Sequence, residues 1–325
     1  MRRDNLEPIT GIHHVSSITA DASKNYHFYT SVLGMRLVKK TVNQDDPGMY
    51  HLFFADAEGT PGTDFTFFEI PMAGRTYPGS GSISRTSLRV PDDLAVSFWE
   101  ERLKQYDAAL VESRETLNGH DSLLFHDPEG QRIAIISDAD NAGIRPGTPW
   151  SGTDVPEEAA ILGLGPAHLH VKRRSKTAYV LTEVLGFSES GTYSCSLGEA
   201  QVFTASGGGS AAEVHVFETE ERAEKPGRGS VHHVAFRVPD REALEYWAHR
   251  IDGAGYMNSG IVERYYFQSL YFREPNGILY ELATDGPGFQ ADEPLDSLGE
   301  RLALPPFLEP EREAIEKKLK PLSTY

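Results

Sequence analysis

The sequence predicts an α+β protein of two domains, built from four βαβββ modules whose mixed, curved sheets form a metal-binding cup. Three observations point there. The chain repeats itself at an offset of about 150 residues, two histidine doublets each open a strand-like segment, and a single carboxylate stands at a matching strand position. The doublets lie in Gly11-Ile12-His13-His14-Val15 and Gly229-Ser230-Val231-His232-His233-Val234, and the carboxylate in Gly277-Ile278-Leu279-Tyr280-Glu281.

Taken in chain order, module one spans about 9–72. It opens on the first doublet, and Val32-Leu33-Gly34 ends an amphipathic helix, glycine being the usual helix stop. Module two spans 80–138 and carries Arg89-Val90-Pro91-Asp92, a helix with Phe98-Trp99, and the hairpin turn Asp127-Pro128-Glu129-Gly130. Residues 139–159, rich in Asp, Gly, Pro and Ser, form a linker. Module three spans 160–219, with Val184-Leu185-Gly186 as its helix stop. Module four spans 228–285 and repeats module two as Arg237-Val238-Pro239-Asp240, Tyr246-Trp247 and Glu274-Pro275-Asn276-Gly277. The predicted domains are therefore 1–138 and 160–285. A proline-rich tail, 286–325, follows, with a short helix expected around Pro310–Leu319.

Bulk properties narrow the function. A chain of 325 residues is long enough for two domains with proper cores, and 39% hydrophobic with 24% charged residues reads as soluble and globular. A net charge of −17 argues against nucleic acid or an anionic membrane as partner, because both would be repelled. No stretch approaches the roughly 18 apolar residues that span a bilayer. The first residues show no apolar segment of a secretion signal. Cys195 is the single cysteine, which excludes an intrachain disulfide and a multi-cysteine metal site, so a cytoplasmic location is expected.

Strand alternation sorts the candidate ligands by face. His14 shares a face with Ile12 and Ser16, His233 with Val231 and Ala235, and Glu281 with Leu279 and Ala283. Each is thus followed, two residues on, by a small side chain that leaves room inside a concave sheet. Two imidazoles and one carboxylate hold a divalent iron while leaving coordination positions open. Module two has Ser84, Arg85 and Ala134 at the places of His232, His233 and Glu281, so the scaffold does not itself demand the ligand types. His168, in Gly165-Pro166-Ala167-His168, competes with His14 for the first ligand position.

His13 and His232 read either as neighbouring groups that shuttle protons or as core histidines bonded to carbonyls. Arg264 could hold a phenolate oxygen or make a surface ion pair, and Tyr271 could donate to bound oxygen or substrate. His51, His126 and His215 read as structural, as does Cys195. The aromatic runs Phe53-Phe54 and Phe65 to Phe68 read as core, and Glu69 and Glu218 as rim or solvated carboxylates. Gly207-Gly208-Gly209-Ser210 lacks the context of a phosphate loop, and there is no Gly-x-Ser-x-Gly elbow.

The modules, the doublets and Glu281 resemble the vicinal oxygen chelate superfamily, which unites glyoxalases, bleomycin-resistance proteins and extradiol dioxygenases. Tyr50-His51-Leu52-Phe53-Phe54-Ala55-Asp56, Gly59-Thr60-Pro61-Gly62-Thr63, Ser297-Leu298-Gly299-Glu300 and Leu304-Pro305-Pro306 make the chain similar, over nearly its whole length, to bacterial hydroquinone-type ring-cleaving dioxygenases. The resemblance implies that His14, rather than His168, joins His233 and Glu281 on Fe(II). It implies catalytic roles for His13, His232, Tyr271 and Arg264 and a substrate-binding role for Ser16, where a relative carries Thr. It further implies a small aromatic substrate and O₂, insertion of oxygen beside a hydroxylated ring carbon, and association into a homo-oligomer as compatible with the scaffold. Mn(II) suits the same donors. The rival readings are a catechol extradiol dioxygenase, a glyoxalase-like metalloisomerase, and a metal-free aromatic-binding protein.

Overall fold

The computed structural model describes residues 7–106 and 110–322. The first six residues of the expected N-terminal domain and the last three of the tail lie outside the described residues. All four modules have the anticipated order. Module one supplies β1 (Ile12–Thr19), α1 (Ala22–His27), β2 (Arg36–Asn43), β3 (Asp46–Ala55) and β4 (Asp64–Glu69). Module two supplies β5 (Ser82–Val90), α2 (Asp93–Lys104), β6 (Leu110–Leu117), β7 (His120–His126) and β8 (Arg132–Ser137). Module three supplies β9 (Gly163–Val171), α3 (Arg174–Tyr179), β10 (Ser188–Cys195), β11 (Gly198–Thr204) and β12 (Glu213–Glu218). Module four supplies β13 (Val231–Val238), α4 (Arg241–Gly253), β14 (Asn258–Glu263), β15 (Gln268–Arg273) and β16 (Leu279–Thr284).

The strands form two mixed eight-stranded sheets. One runs β14-β15-β16-β13-β1-β4-β3-β2 and so joins modules one and four; the other runs β10-β11-β12-β9-β5-β8-β7-β6 and joins modules two and three. Each half of the chain thus contributes one module to each sheet. The joints are antiparallel pairs, β1 with β13 and β5 with β9, both interrupted by register shifts.

The sequence repeat has a physical cause at each site. In both Val-Pro-Asp motifs the aspartate is an N-cap: the Asp92 carboxylate accepts from the Ala95 N–H and that of Asp240 from the Ala243 N–H. The tryptophans of α2 and α4, Trp99 and Trp247, are buried beneath them. Farther along, Arg102 donates to the carbonyls of Ser31 and Val32, and Arg250 to those of Glu183 and Val184. Each guanidinium satisfies carbonyls at the helical end of a neighbouring module, where cations are favoured. Gly34 and Gly186, which stop those helices, have φ of +71° and +76°, a region other residues enter at a cost.

The tail holds the expected helix, α5 (Arg312–Lys318), and also closes one end of the first sheet's cup. Lys39, wholly buried on β2, donates to Asp292 Oδ1 at 2.7 Å, to Glu293 and to the Phe289 carbonyl. Phe289 and Leu298 pack there with Val38, Phe53, Ala235 and Ala283 in an apolar cluster separate from the main core. No helix among the described residues is long and apolar enough to cross a membrane.

Candidate metal centre

Pairing β1 with β13 and β13 with β16 brings three side chains from the two ends of the chain to one concave face. His14 stands on β1, His233 on β13 opposite Ser16, and Glu281 on β16 beside Ala235. All three are buried. His14 Nε2 lies 3.2 Å from His233 Nε2 and 3.2 Å from Glu281 Oε2, and His233 Nε2 lies 2.8 Å from the same oxygen. His168 is not among them; it sits in the second sheet, paired with Arg85 and stacked on His215 at 5.1 Å.

The hydrogen bonds behind these groups set which atoms face the centre. The Thr284 carbonyl can only accept, so His13 Nε2, 3.1 Å away, carries a proton. Neutral His13 then presents a lone pair at Nδ1, and His14 Nδ1, at 2.9 Å, donates to it. His14 Nε2 is left with a lone pair aimed at the centre. The second doublet repeats the contact, His232 Nδ1 meeting His233 Nδ1 at 2.8 Å. On the third ligand, Ser269 Oγ donates to Glu281 Oε1. The opposite oxygen, Oε2, is buried between the imidazoles without the alignment of a hydrogen bond.

Burial alone would raise the Glu281 carboxyl, but His14 and His233 hold it well below the usual carboxylate range. Burial, with His14 beside it, pushes His13 down to about 3. At neutral pH His13 is therefore a neutral positioning group for His14. His232 is exposed.

These residues fit a divalent cation. With the imidazoles neutral, two ring nitrogens and a carboxylate oxygen converge within 3.2 Å of one another, which is unfavourable unless positive charge, a metal ion or in its absence protons on the imidazoles, sits at the focus. Bonds of about 2.1 Å meeting at right angles would separate ligand atoms by about 3.0 Å, close to the three separations seen. The donor set is that of a face-capping two-histidine, one-carboxylate centre with open positions.

The centre opens onto a cleft of about 470 Å³, its mouth included. Ser16, Arg264 and Tyr271 line it with His14 and His233, so the expected site residues converge, His13 and His232 supporting from behind. Arg264 Nε donates to the Tyr271 hydroxyl at 3.3 Å and its guanidinium pairs with Asp45 at 3.0 Å. Burial, and Glu281 next, push the Tyr271 hydroxyl up, so it remains a protonated donor.

Several lining residues differ from the sequence expectation. His51, read as structural, lines the cleft, as does Phe68 from a run read as core, while Phe53 both lines it and packs in the apolar cluster as read. Thr41, Asn43, Gln44, Asp45, Tyr266 and Phe267 complete the wall. Phe54, Phe65 and Phe67 do belong to the core. Glu69 is not a rim carboxylate: it is buried, and its Oε1 accepts from the Ala22 N–H at the start of α1. Glu218, its module-three counterpart, is exposed and accepts from the Arg174 N–H.

With fold and centre described, the relationships of the chain can be stated. Residues 11–135 and 164–282 match the model of the Glyoxalase/Bleomycin resistance protein/Dioxygenase superfamily, and the chain belongs to that superfamily. It is 49% identical over 316 residues to MhqA of Bacillus subtilis (strain 168), a ring-cleaving dioxygenase by name, covering 97% of this chain and 99% of MhqA. It is 32% identical over 312 residues to the chlorohydroquinone/hydroquinone 1,2-dioxygenase of Sphingobium indicum, covering 93% and 94%. A crystal structure of a Bacillus subtilis subsp. subtilis str. 168 protein described as a dioxygenase superposes with a TM-score of 0.90 at 35% identity, covering 98% of this chain and 99% of that one.

Proposed function

We infer that this chain is an Fe(II)-dependent ring-cleaving dioxygenase that opens a hydroquinone-type ring beside a hydroxylated carbon. The observation that carries the reading is the buried convergence of His14, His233 and Glu281 on one point at the base of an aromatic-lined cleft. Full-length similarity to proteins named as ring-cleaving and hydroquinone dioxygenases supports it.

His14, His233 and Glu281 would hold the metal. When bound, Fe(II) supplies open positions for a phenolic oxygen and O₂ and the electron transfer that lets triplet oxygen react with a ring. The chain's own groups do the rest. His13 fixes the His14 ring, and Ser269 fixes the Glu281 carboxylate. Because Arg264 donates to the Tyr271 oxygen, the Tyr271 proton is free to be donated toward an oxygen in the cleft. Ser16 offers a hydroxyl beside His14 for orienting the phenol. Burial, with His233 next, pushes His232 down to about 4, so at neutral pH it is a neutral imidazole that holds the His233 ring and relays protons only transiently. Phe53, Phe68 and Phe267 keep water from the ring.

Anaerobic loading with Fe(II), addition of hydroquinone and admission of oxygen tests the reading. Oxygen uptake and a new ultraviolet–visible product band are expected. No uptake across hydroquinones and catechols would remove it, and parallel loading with Mn(II) assigns the metal.

A further inference from the structure

The β2–β3 wall of the cleft carries polar groups that no step above uses. Thr41 on β2 and His51 on β3 are direct cross-strand partners, so their side chains stand on one face about 5 Å apart. Both line the cleft. Thr41 is 2% exposed, and its Oγ1 is buried without a hydrogen-bond partner. Leaving such a hydroxyl unpaired is costly, and only a polar group entering the cleft would relieve it.

His51 is held rigidly. Its ring packs between Phe53 and Phe68, with centroids 4.0 and 4.1 Å away. Its Nε2 is 3.1 Å from Thr66 Oγ1, and Thr66 Oγ1 is 2.7 Å from Ser16 Oγ. Nδ1 has no hydrogen-bond partner among the described residues and is the polar edge that His51 offers the cleft. The Ser16–Thr66–His51 row crosses β1, β4 and β3. It starts beside His14, and its backbones lie two strand spacings, about 10 Å, apart, with the bonded side-chain atoms closing over a shorter span.

We propose that Thr41 and His51 form the receptor for a second hydroxyl at the far end of a single-ring phenol, selecting 1,4-dihydroxybenzenes over 1,2-dihydroxybenzenes and simple phenols. The proposal rests on the reading of the cleft as a phenol site. A hydroxyl there donates to His51 Nδ1 and accepts from Thr41 Oγ1, which satisfies both. With Nδ1 accepting, His51 Nε2–H donates to Thr66 and the Thr66 hydroxyl to Ser16. Ser16 is left to donate to the oxygen at the near end of the ring. In a 1,2-diol the two oxygens sit side by side, and none reaches Thr41. A simple phenol has no second oxygen to offer.

Equilibrium binding to the Fe(II)-loaded protein under anaerobic conditions, by calorimetry, provides the test without turnover. Hydroquinone, catechol and phenol are titrated into the wild type, Thr41→Val, His51→Phe and His51→Gln. Hydroquinone is expected to bind the wild type about tenfold more tightly than phenol, the worth of one well-placed hydrogen bond. Thr41→Val should erase most of that preference while phenol binding stays within twofold; His51→Phe should erase it too, with some loss for phenol as well because the bond to Thr66 goes, and His51→Gln should restore part of it. An unchanged hydroquinone-to-phenol ratio in both Thr41→Val and His51→Phe overturns the proposal. So does a wild type that binds all three alike or none. Oxygen uptake is scored separately: selective binding without uptake defeats the dioxygenase reading and leaves this receptor standing, whereas uptake without selectivity does the reverse.

Discussion

The Nδ1 atoms of His13 and His14 face each other at 2.9 Å, and because His13 Nε2 is committed to the Thr284 carbonyl, His14 must be the donor. A backbone carbonyl on β16 thereby decides which nitrogen of a β1 histidine is free for metal. The same strand supplies Glu281, so one element sets two of the three converging side chains.

Removing that control should weaken the centre without abolishing it. His13→Phe keeps the ring's volume but leaves His14 Nδ1 unpaired. Metal affinity is expected to fall about 10- to 100-fold, read by competition with a chromophoric chelator. Ser269→Ala, which frees Glu281 Oε1, should fall in the same range. Unchanged affinity in both would show that these bonds do not tune the ligands.

The first ligand can be assigned directly. His14→Ala should lose more than about 100-fold in iron affinity, beyond the range typical of supporting groups, and His168→Ala should bind iron stoichiometrically. Metal analysis of the dialysed proteins distinguishes them. Iron retained by His14→Ala and lost from His168→Ala would move the centre to the other sheet.

Metal should also stabilise the fold by mass action. Free Fe(II) at 100 times its dissociation constant adds about 2.7 kcal/mol to the native state. An anaerobic denaturant titration with and without metal should show that increment in the wild type, and Glu281→Gln should not respond.

Tyr271→Phe is expected to leave iron binding unchanged and to lower turnover roughly 10²-fold or more, the range for a lost proton donor. Single-turnover kinetics separate that effect from product release.

One buried carboxyl gives a pH signature away from the centre. Burial pushes Asp127 up to about 6, from an ordinary 3.8, although the Gln131 and Glu129 N–H groups donate to it. The native state therefore keeps a proton that the unfolded chain releases at lower pH. Stability from this group is complete below about pH 4 and is lost as pH rises to 6, by at most about 3 kcal/mol. Asp127→Asn should gain on the wild type across that window and run parallel to it above pH 7, by denaturant unfolding at each pH.

Much of this molecule is written locally. The N-caps Asp92 and Asp240, the tryptophans beneath them and the hairpin turns recur because each module solves the same packing problem, and a repeat is visible without knowing the fold. The three converging side chains, His14, His233 and Glu281, were legible for a related reason: Ser84, Arg85 and Ala134 show the same strands without them. The choice between His14 and His168 was not local, since it depends on β1 pairing with β13, a contact between opposite ends of the chain. His51 failed for the same reason. In sequence it is a lone strand histidine beside phenylalanines, and only the order β1-β4-β3-β2 turns its face toward the centre. Glu69 shows the opposite error, since its carboxylate turns inward to accept from the Ala22 N–H at the start of α1.

The pairing of the outer modules also bears on how the protein comes into being. His14 leaves the ribosome early, but its partner His233 is 219 residues away and Glu281 follows later still. Closing so long a loop carries an entropic cost that local contacts cannot repay in advance. The inner modules can pair while the first waits with an unsatisfied sheet edge at β1. Assembly of the centre then becomes one of the last events of biogenesis, and a chain arrested before β16 holds two histidines but no centre, so occupancy of the centre would report completed synthesis.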